Sequence, residues 1–177
     1  MEQLPSEGAH SMKSVETHLK QYGAYHRDKR NVLTHFFGIP LIVFAVTVLL
    51  SRPAIDLGVL TLSPALLAVV VLTVYYLRLD IRLGTVLSLF LWLCVVLGQG
   101  VAQWSTAGWL LLGAGSFVGG WALQFLGHMW EGRKPAFIDD VMGLLIGPLF
   151  IVAEAAFALG LLKPLRAKVF PAGEALP

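Results

Sequence analysis

Leu83 to Trp130 reads LGTVLSLFLWLCVVLGQGVAQWSTAGWLLLGAGSFVGGWALQFLGHMW, 48 consecutive residues without a Lys, Arg, Asp or Glu. The hydrocarbon core of a bilayer takes about 20 apolar residues per helix, so this run is long enough for two spans. We place them at about 83–99 and 107–126, with Trp104 and Trp109 flanking the turn between them. The rest of the chain agrees. It is 56% hydrophobic and 14% charged, against roughly 45–50% and about 25% in soluble domains, and its mean hydropathy is +0.73. This composition excludes a disordered chain and predicts an all-α integral membrane helical bundle. A length of 177 residues suits a single membrane domain. The net charge of +2 gives no argument for a nucleic-acid partner, and none is expected. With Cys94 alone, no intramolecular disulfide or cysteine-based zinc site is available.

Working outward, residues 1–13 read as a flexible polar tail and Ser14 to Arg30 as an amino-terminal interfacial helix of mixed charge. The first 30 residues hold no apolar run that would serve as a signal peptide. Val32 to Ser51 gives a first span, with Pro40 near its start. Ser63-Pro64 is a helix start with Pro at the first helical position, which places a second span at about 64–79. Gly113, Gly115, Gly119 and Gly120 would let the 107–126 span approach a neighbour closely, or reflect only the glycine excess of membrane helices. The last apolar run, Val141 to Leu162, contains Gly147-Pro148 and one carboxylate, Glu154, before a polar tail at 163–177; residues 14–162 thus form the bundle, with four to five apolar segments.

With the amino end cytoplasmic and four spans, Lys13, Lys20, Arg27, Lys29, Arg30, Arg78, Arg82, Arg133 and Lys134 lie inside and only Arg52 outside. That asymmetry is the one topology follows. A fully spanning fifth segment would carry Lys163, Arg166 and Lys168 outside. We therefore expect the last segment to re-enter at Gly147-Pro148 or to lie partly in the interface, with both ends cytoplasmic; an ordinary fifth span is the alternative.

In this topology His18, His26, His35, His128, Glu131, Arg133, Asp139 and Asp140 gather at one membrane face, where polar groups need a partner or a function. His26 and His35 are nine residues apart, so on a continuous helix they face opposite ways. They share a site only if the chain bends between them, and Asp28-Lys29-Arg30-Asn31 is the place for it, with Asn31 as cap of the helix entering the membrane. His128 and Glu131, at i and i+3, project from one helix face, as in carboxylate-histidine metal sites. Imidazole and carboxylate suit zinc or non-haem iron. Five histidines, with His10 in the tail, are too few for the histidine boxes of a diiron membrane enzyme, which favours one metal. Arg133 and Lys134 are placed to meet an anionic head group, or serve the charge asymmetry alone. Glu154 faces the site, pairs with an Arg, or is a neutral structural carboxyl.

These residues also carry a resemblance. Tyr22-Gly23-Ala24-Tyr25-His26, then Asn31-Val32-Leu33-Thr34-His35 and Gly38-Ile39-Pro40, resembles the amino-terminal motif of the Mpo-like family of 2-hydroxy fatty acid dioxygenases. Trp121, Gln124 to His128, Glu131, Arg133, Pro135-Ala136-Phe137, Asp139, Pro148-Leu149-Phe150 and Glu154 resemble its carboxy-terminal block, in the same order. The resemblance implies a membrane-embedded enzyme that shortens 2-hydroxy fatty acids by one carbon; with the topology above, we expect a multi-pass protein of a bacterial inner membrane or the endoplasmic reticulum with its site at the cytoplasmic face. The resemblance also implies Fe(2+) as cofactor, held by His26, His35 and His128, and a long-chain 2-hydroxy fatty acid, O2 and the lipid bilayer as partners. Glu131 and Glu154 are its expected catalytic residues, and Asn31, Arg133 and Lys134 its expected substrate contacts. The family commonly has one more residue between the Gly-His pair and the acidic residue, whereas only Met129 and Trp130 intervene here, so Glu131 is open to a supporting role. A 2-hydroxy acid supplies all four electrons that O2 takes, which fits a chain with no dinucleotide fingerprint. Another metal-dependent lipid-modifying enzyme and a non-catalytic membrane scaffold are the competing readings.

Overall fold

The computed structural model describes residues 14–171, which hold seven α-helices, a short hairpin and one 3-10 turn. The chain is all-α in class. The tail at 1–13, with His10, and residues 172–177 lie outside the described residues.

Ser14 caps α1 (Val15–Gly23), accepting from the Thr17 N–H. The chain then bends, and Asp28 caps α2 (Lys29–Leu50) by accepting from the Arg30 N–H at 2.8 Å. The bend is therefore at 24–28. Asp28, not Asn31, is the cap, because Asn31 is already inside the helix and fully buried. A two-residue hairpin, β1 (Ile55–Asp56) with β2 (Thr61–Leu62), leads to α3 (Pro64–Leu79), whose Ser63 cap and Pro64 start are those expected. Asp80 turns the chain at once into α4 (Ile81–Ala102), accepting from the Arg82 and Leu83 N–H groups at 2.9 Å. Ser105 caps α5 (Thr106–Glu131), and Gly132, at φ 66°, ends it.

The most extensive packing is between α2 and α5. Glycine explains part of it: a Cβ at Gly120 would lie 2.6 Å from Ile42 Cγ1 and 2.9 Å from the Gly38 carbonyl, and one at Gly113 would meet Leu49. Gly115 has open space around it, and Gly119 makes only ordinary contact with Leu41. Two of the four glycines thus make the close approach and two do not. At the far end, the Arg52 guanidinium donates to the Ala102 and Trp104 carbonyls and lies 4.8 Å from the Trp109 ring centre.

Helices α2, α4 and α5 are long and apolar enough to cross a membrane. α3 and α6 (Met142–Ala158), at 16 and 17 residues, are about 24–26 Å long, short of the ~30 Å hydrocarbon core. α6 runs unbroken through Gly147-Pro148, so no re-entrant turn occurs there. It lies instead across the end of the bundle where α2 and α4 begin. Tyr76 near the end of α3 donates to the Leu145 carbonyl, Gly147 sits against the Tyr22 hydroxyl, and Leu159 lines a groove with Arg82 and Leu83. Residues 163–169, expected as the start of a polar tail, form α7 (Lys163–Val169), which packs on α1 with a Lys168–Glu16 ion pair. The two ends of the described chain therefore meet at one end of the bundle.

Candidate metal centre

The bend at 24–28 folds His26 back over α2, and the close α2–α5 pairing brings His128 alongside. His26, His35 and His128 are 1%, 2% and 6% exposed, and a nitrogen from each lies within 4.8 Å of the others. Their immediate surroundings select the ring nitrogens that face inward. His26 Nδ1 donates to the Tyr22 carbonyl at 2.8 Å and His35 Nδ1 to the Asn31 carbonyl at 2.9 Å. In neutral rings the Nε2 atoms then carry lone pairs, and these two atoms face each other at 3.0 Å. Burial pushes the His26 pKa down to about 4, which disfavours a proton between them. A metal ion held by both Nε2 lone pairs would resolve the conflict, since neutral imidazole nitrogen is an ordinary metal ligand. His128 Nδ1 is buried with no hydrogen-bond partner, so a third donor is uncommitted. Backbone carbonyls orienting ligand rings are the usual support of such a site. The residues present fit a metal ion held by three histidines.

Tyr22 stacks on His26 at a centroid distance of 4.2 Å and 8° between planes, and Phe150 of α6 backs both rings. A small pocket of about 70 Å3 opens beside His35 and His128, mostly apolar, between Trp121 and Gln124 of α5 and Gly143, Gly147 and Pro148 at the start of α6.

Of the acidic and basic residues expected at the site, Glu131, Arg133 and Lys134 make their contacts elsewhere. Glu131 does share a face with His128, but its carboxylate accepts from the Arg27 N–H at 3.0 Å, the Asp28 N–H at 2.8 Å and Asn31 Nδ2 at 3.0 Å. It clamps the bend that carries His26 and is not among the grouped ligand atoms. Asn31 meets Glu131 by its side chain and His35 by its carbonyl. Arg133 donates to the Ala24 carbonyl at 3.0 Å. Lys134 pairs with Asp139, which also accepts from the Tyr25 hydroxyl at 3.0 Å; the Lys134 ammonium holds the Asp139 carboxyl below its ordinary range. These contacts fasten 24–28 to 133–139, and neither Arg133 nor Lys134 lines the pocket. Glu154 is half-buried on α6, with Oε1 unpartnered, and does not join the histidines. Sequence reasoning did not single out Tyr22, Trp121 or Gln124 as site residues. The spacing of 121, 124 and 128, one face of a helix, is the signal that could have found the last two.

Comparison with known proteins identifies the family. A family model described as "2-hydroxy-palmitic acid dioxygenase Mpo1-like" matches residues 12–159, a range that contains all three histidines. The chain is 30% identical over 155 residues, 86% of each chain, to the 2-hydroxy-palmitic acid dioxygenase MPO1 of Saccharomyces cerevisiae. No solved structure matches. On the extent of both matches, the chain belongs to the 2-hydroxy-palmitic acid dioxygenase Mpo1-like family.

Proposed function

We propose that this protein is a multi-pass membrane dioxygenase that uses iron(II) to convert long-chain 2-hydroxy fatty acids and O2 to the acid one carbon shorter, carbon dioxide and water. The observation that carries the reading is the buried three-histidine group opening on a mainly apolar pocket, in a chain similar to a protein named for this substrate class. Three neutral nitrogens leave other coordination positions open, as non-haem iron chemistry requires. Iron bound there supplies the one-electron chemistry that lets O2 react with an organic acid.

The chain's own residues prepare this site. The Tyr22 and Asn31 carbonyls hold the His26 and His35 rings in one tautomer. Glu131 positions the bend through its three hydrogen bonds. Tyr22, Phe137, Ile39 and Pro148 exclude water from the pocket. Ile39, Val43 and Pro148 also line a larger apolar groove between α2, α4 and α6, of about 650 Å3, which takes the acyl chain. The 2-hydroxy acid loses four electrons in becoming the shorter acid and carbon dioxide, and O2 takes four in becoming water and the new carboxyl oxygen, so no reductant is consumed.

The test is anaerobic purification, metal analysis, and turnover of 2-hydroxyhexadecanoate by the iron-loaded protein. Pentadecanoate should form with about one O2 consumed per molecule and without added 2-oxoglutarate or NADPH, and hexadecanoate should be inert. Turnover that needs a reductant every cycle rejects the proposal, as does zinc as the only active metal.

A further inference from the structure

We infer that Gln124 and Trp121 bind the carboxylate of the substrate through their side-chain N–H groups, as neutral donors in place of a cation; this rests on the proposed reading of the pocket. Trp121, Gln124 and His128 stand at i, i+3 and i+7 of α5, so they share one helix face, and all three line the pocket beside the histidines. Each presents a buried nitrogen without a hydrogen-bond partner: Trp121 Nε1, Gln124 Nε2 and His128 Nδ1. Gln124 as a whole is only 5% exposed. Buried N–H groups are normally paired, and the two unpaired ones of Trp121 and Gln124 on one pocket wall, beside the His128 nitrogen left for the metal, mark a place where a ligand supplies the acceptors. An indole N–H can only donate, so the matching ligand group is an acceptor, and a carboxylate is the acceptor the proposed substrate carries.

The rest of the pocket supports this assignment. No Lys or Arg lines it. The two nearby cations foreseen for this task do not line the pocket; Arg133 donates to the Ala24 carbonyl and Lys134 pairs with Asp139. The Gln124 side chain also has its space kept for it, since a Cβ at Gly38 would overlap Gln124 Nε2 and come within 2.9 Å of the Gly120 carbonyl. Glycine at 38 therefore leaves room for a polar side chain within the close α2–α5 contact.

Gln124→Leu and Trp121→Phe each remove an N–H while keeping bulk. The iron-loaded proteins, held anaerobic so that nothing turns over, are titrated with 2-hydroxyhexadecanoate and with 1,2-hexadecanediol, which has the same chain and no carboxylate. Each variant is expected to keep its iron, to bind the acid about tenfold more weakly, the effect of losing one hydrogen bond to a charged group, and to bind the diol as before. In air, the loss should appear in KM more than in kcat. Unchanged affinity for the acid overturns the assignment. So does equal weakening for acid and diol, or loss of iron, either of which reveals a packing role. Wild-type protein that oxidises the acid while both variants bind it normally overturns this inference alone. Wild-type protein that neither binds nor oxidises the acid overturns the proposed function together with it.

Discussion

His26 Nε2 lies 3.0 Å from His35 Nε2, while each ring donates its single N–H, on Nδ1, to a backbone carbonyl. The pair is nine residues apart in sequence and meets only because the chain turns at 24–28 between α1 and α2. The histidines should therefore act as one unit. His26→Ala, His35→Ala and His128→Ala are each expected to lower metal affinity at least tenfold, roughly the loss seen even for residues that only support a ligand, and to lose activity with it. His10→Ala should change neither. Metal analysis of the purified variants checks this, and near-normal iron in two of the three would reject a shared site.

Glu131 holds the turn from the end of the neighbouring helix α5. Glu131→Ala leaves the Arg27 and Asp28 N–H groups and Asn31 Nδ2 without their acceptor, at a cost of about 1–3 kcal/mol. The expected outcome is a lower Tm in detergent and weaker metal binding, with Glu131→Gln intermediate because one acceptor oxygen remains. A direct ligand would instead show metal loss in both variants with Tm unchanged in the metal-free protein.

Gly127 is where α5 comes closest to the ligand-bearing turn of α2. A Cβ there would overlap Thr34 Oγ1 and Asn31 Oδ1, so Gly127→Ala should destabilise by about 1–3 kcal/mol, as overpacking does. Gly115→Ala has open space and should be neutral or stabilising by up to ~1 kcal/mol through helix propensity. Thermal unfolding of the two variants in one detergent makes the comparison.

Ala155 lines the apolar groove that continues from the pocket. Ala155→Trp should lower turnover of 2-hydroxyhexadecanoate and spare a 2-hydroxy acid of eight to ten carbons. A uniform loss over all chain lengths would place the acyl chain elsewhere.

The Lys168–Glu16 pair and the packing of α7 on α1 join the two ends of the described chain. Reporter fusions at the amino and carboxyl ends should accordingly give the same signal, cytoplasmic for both. Opposite signals would mean that α6 crosses the membrane.

What the sequence determined by itself was local or additive. The uncharged run from Leu83 to Trp130, the Ser63-Pro64 start and the charged break at Arg78 to Arg82 mark helices and their ends, because hydrocarbon solubility and capping act over a few neighbouring residues. His26, His35 and His128 were identifiable by residue type and motif. Only the tertiary structure decided where the remaining polar groups point. Glu131 reaches back about a hundred residues to the Asp28 N–H, Arg133 spends its donor on Ala24, and α6 lies across the bundle end on Tyr22 and Tyr76. Long side chains near a helix end can reach several partners, and the choice among them depends on which distant backbone is brought within about 3 Å. Gln124 shows the same limit from the opposite direction. Its sequence context reads as one more polar residue in a membrane helix, and only the close passage of Gly38 reveals that it is held against a pocket with no partner of its own.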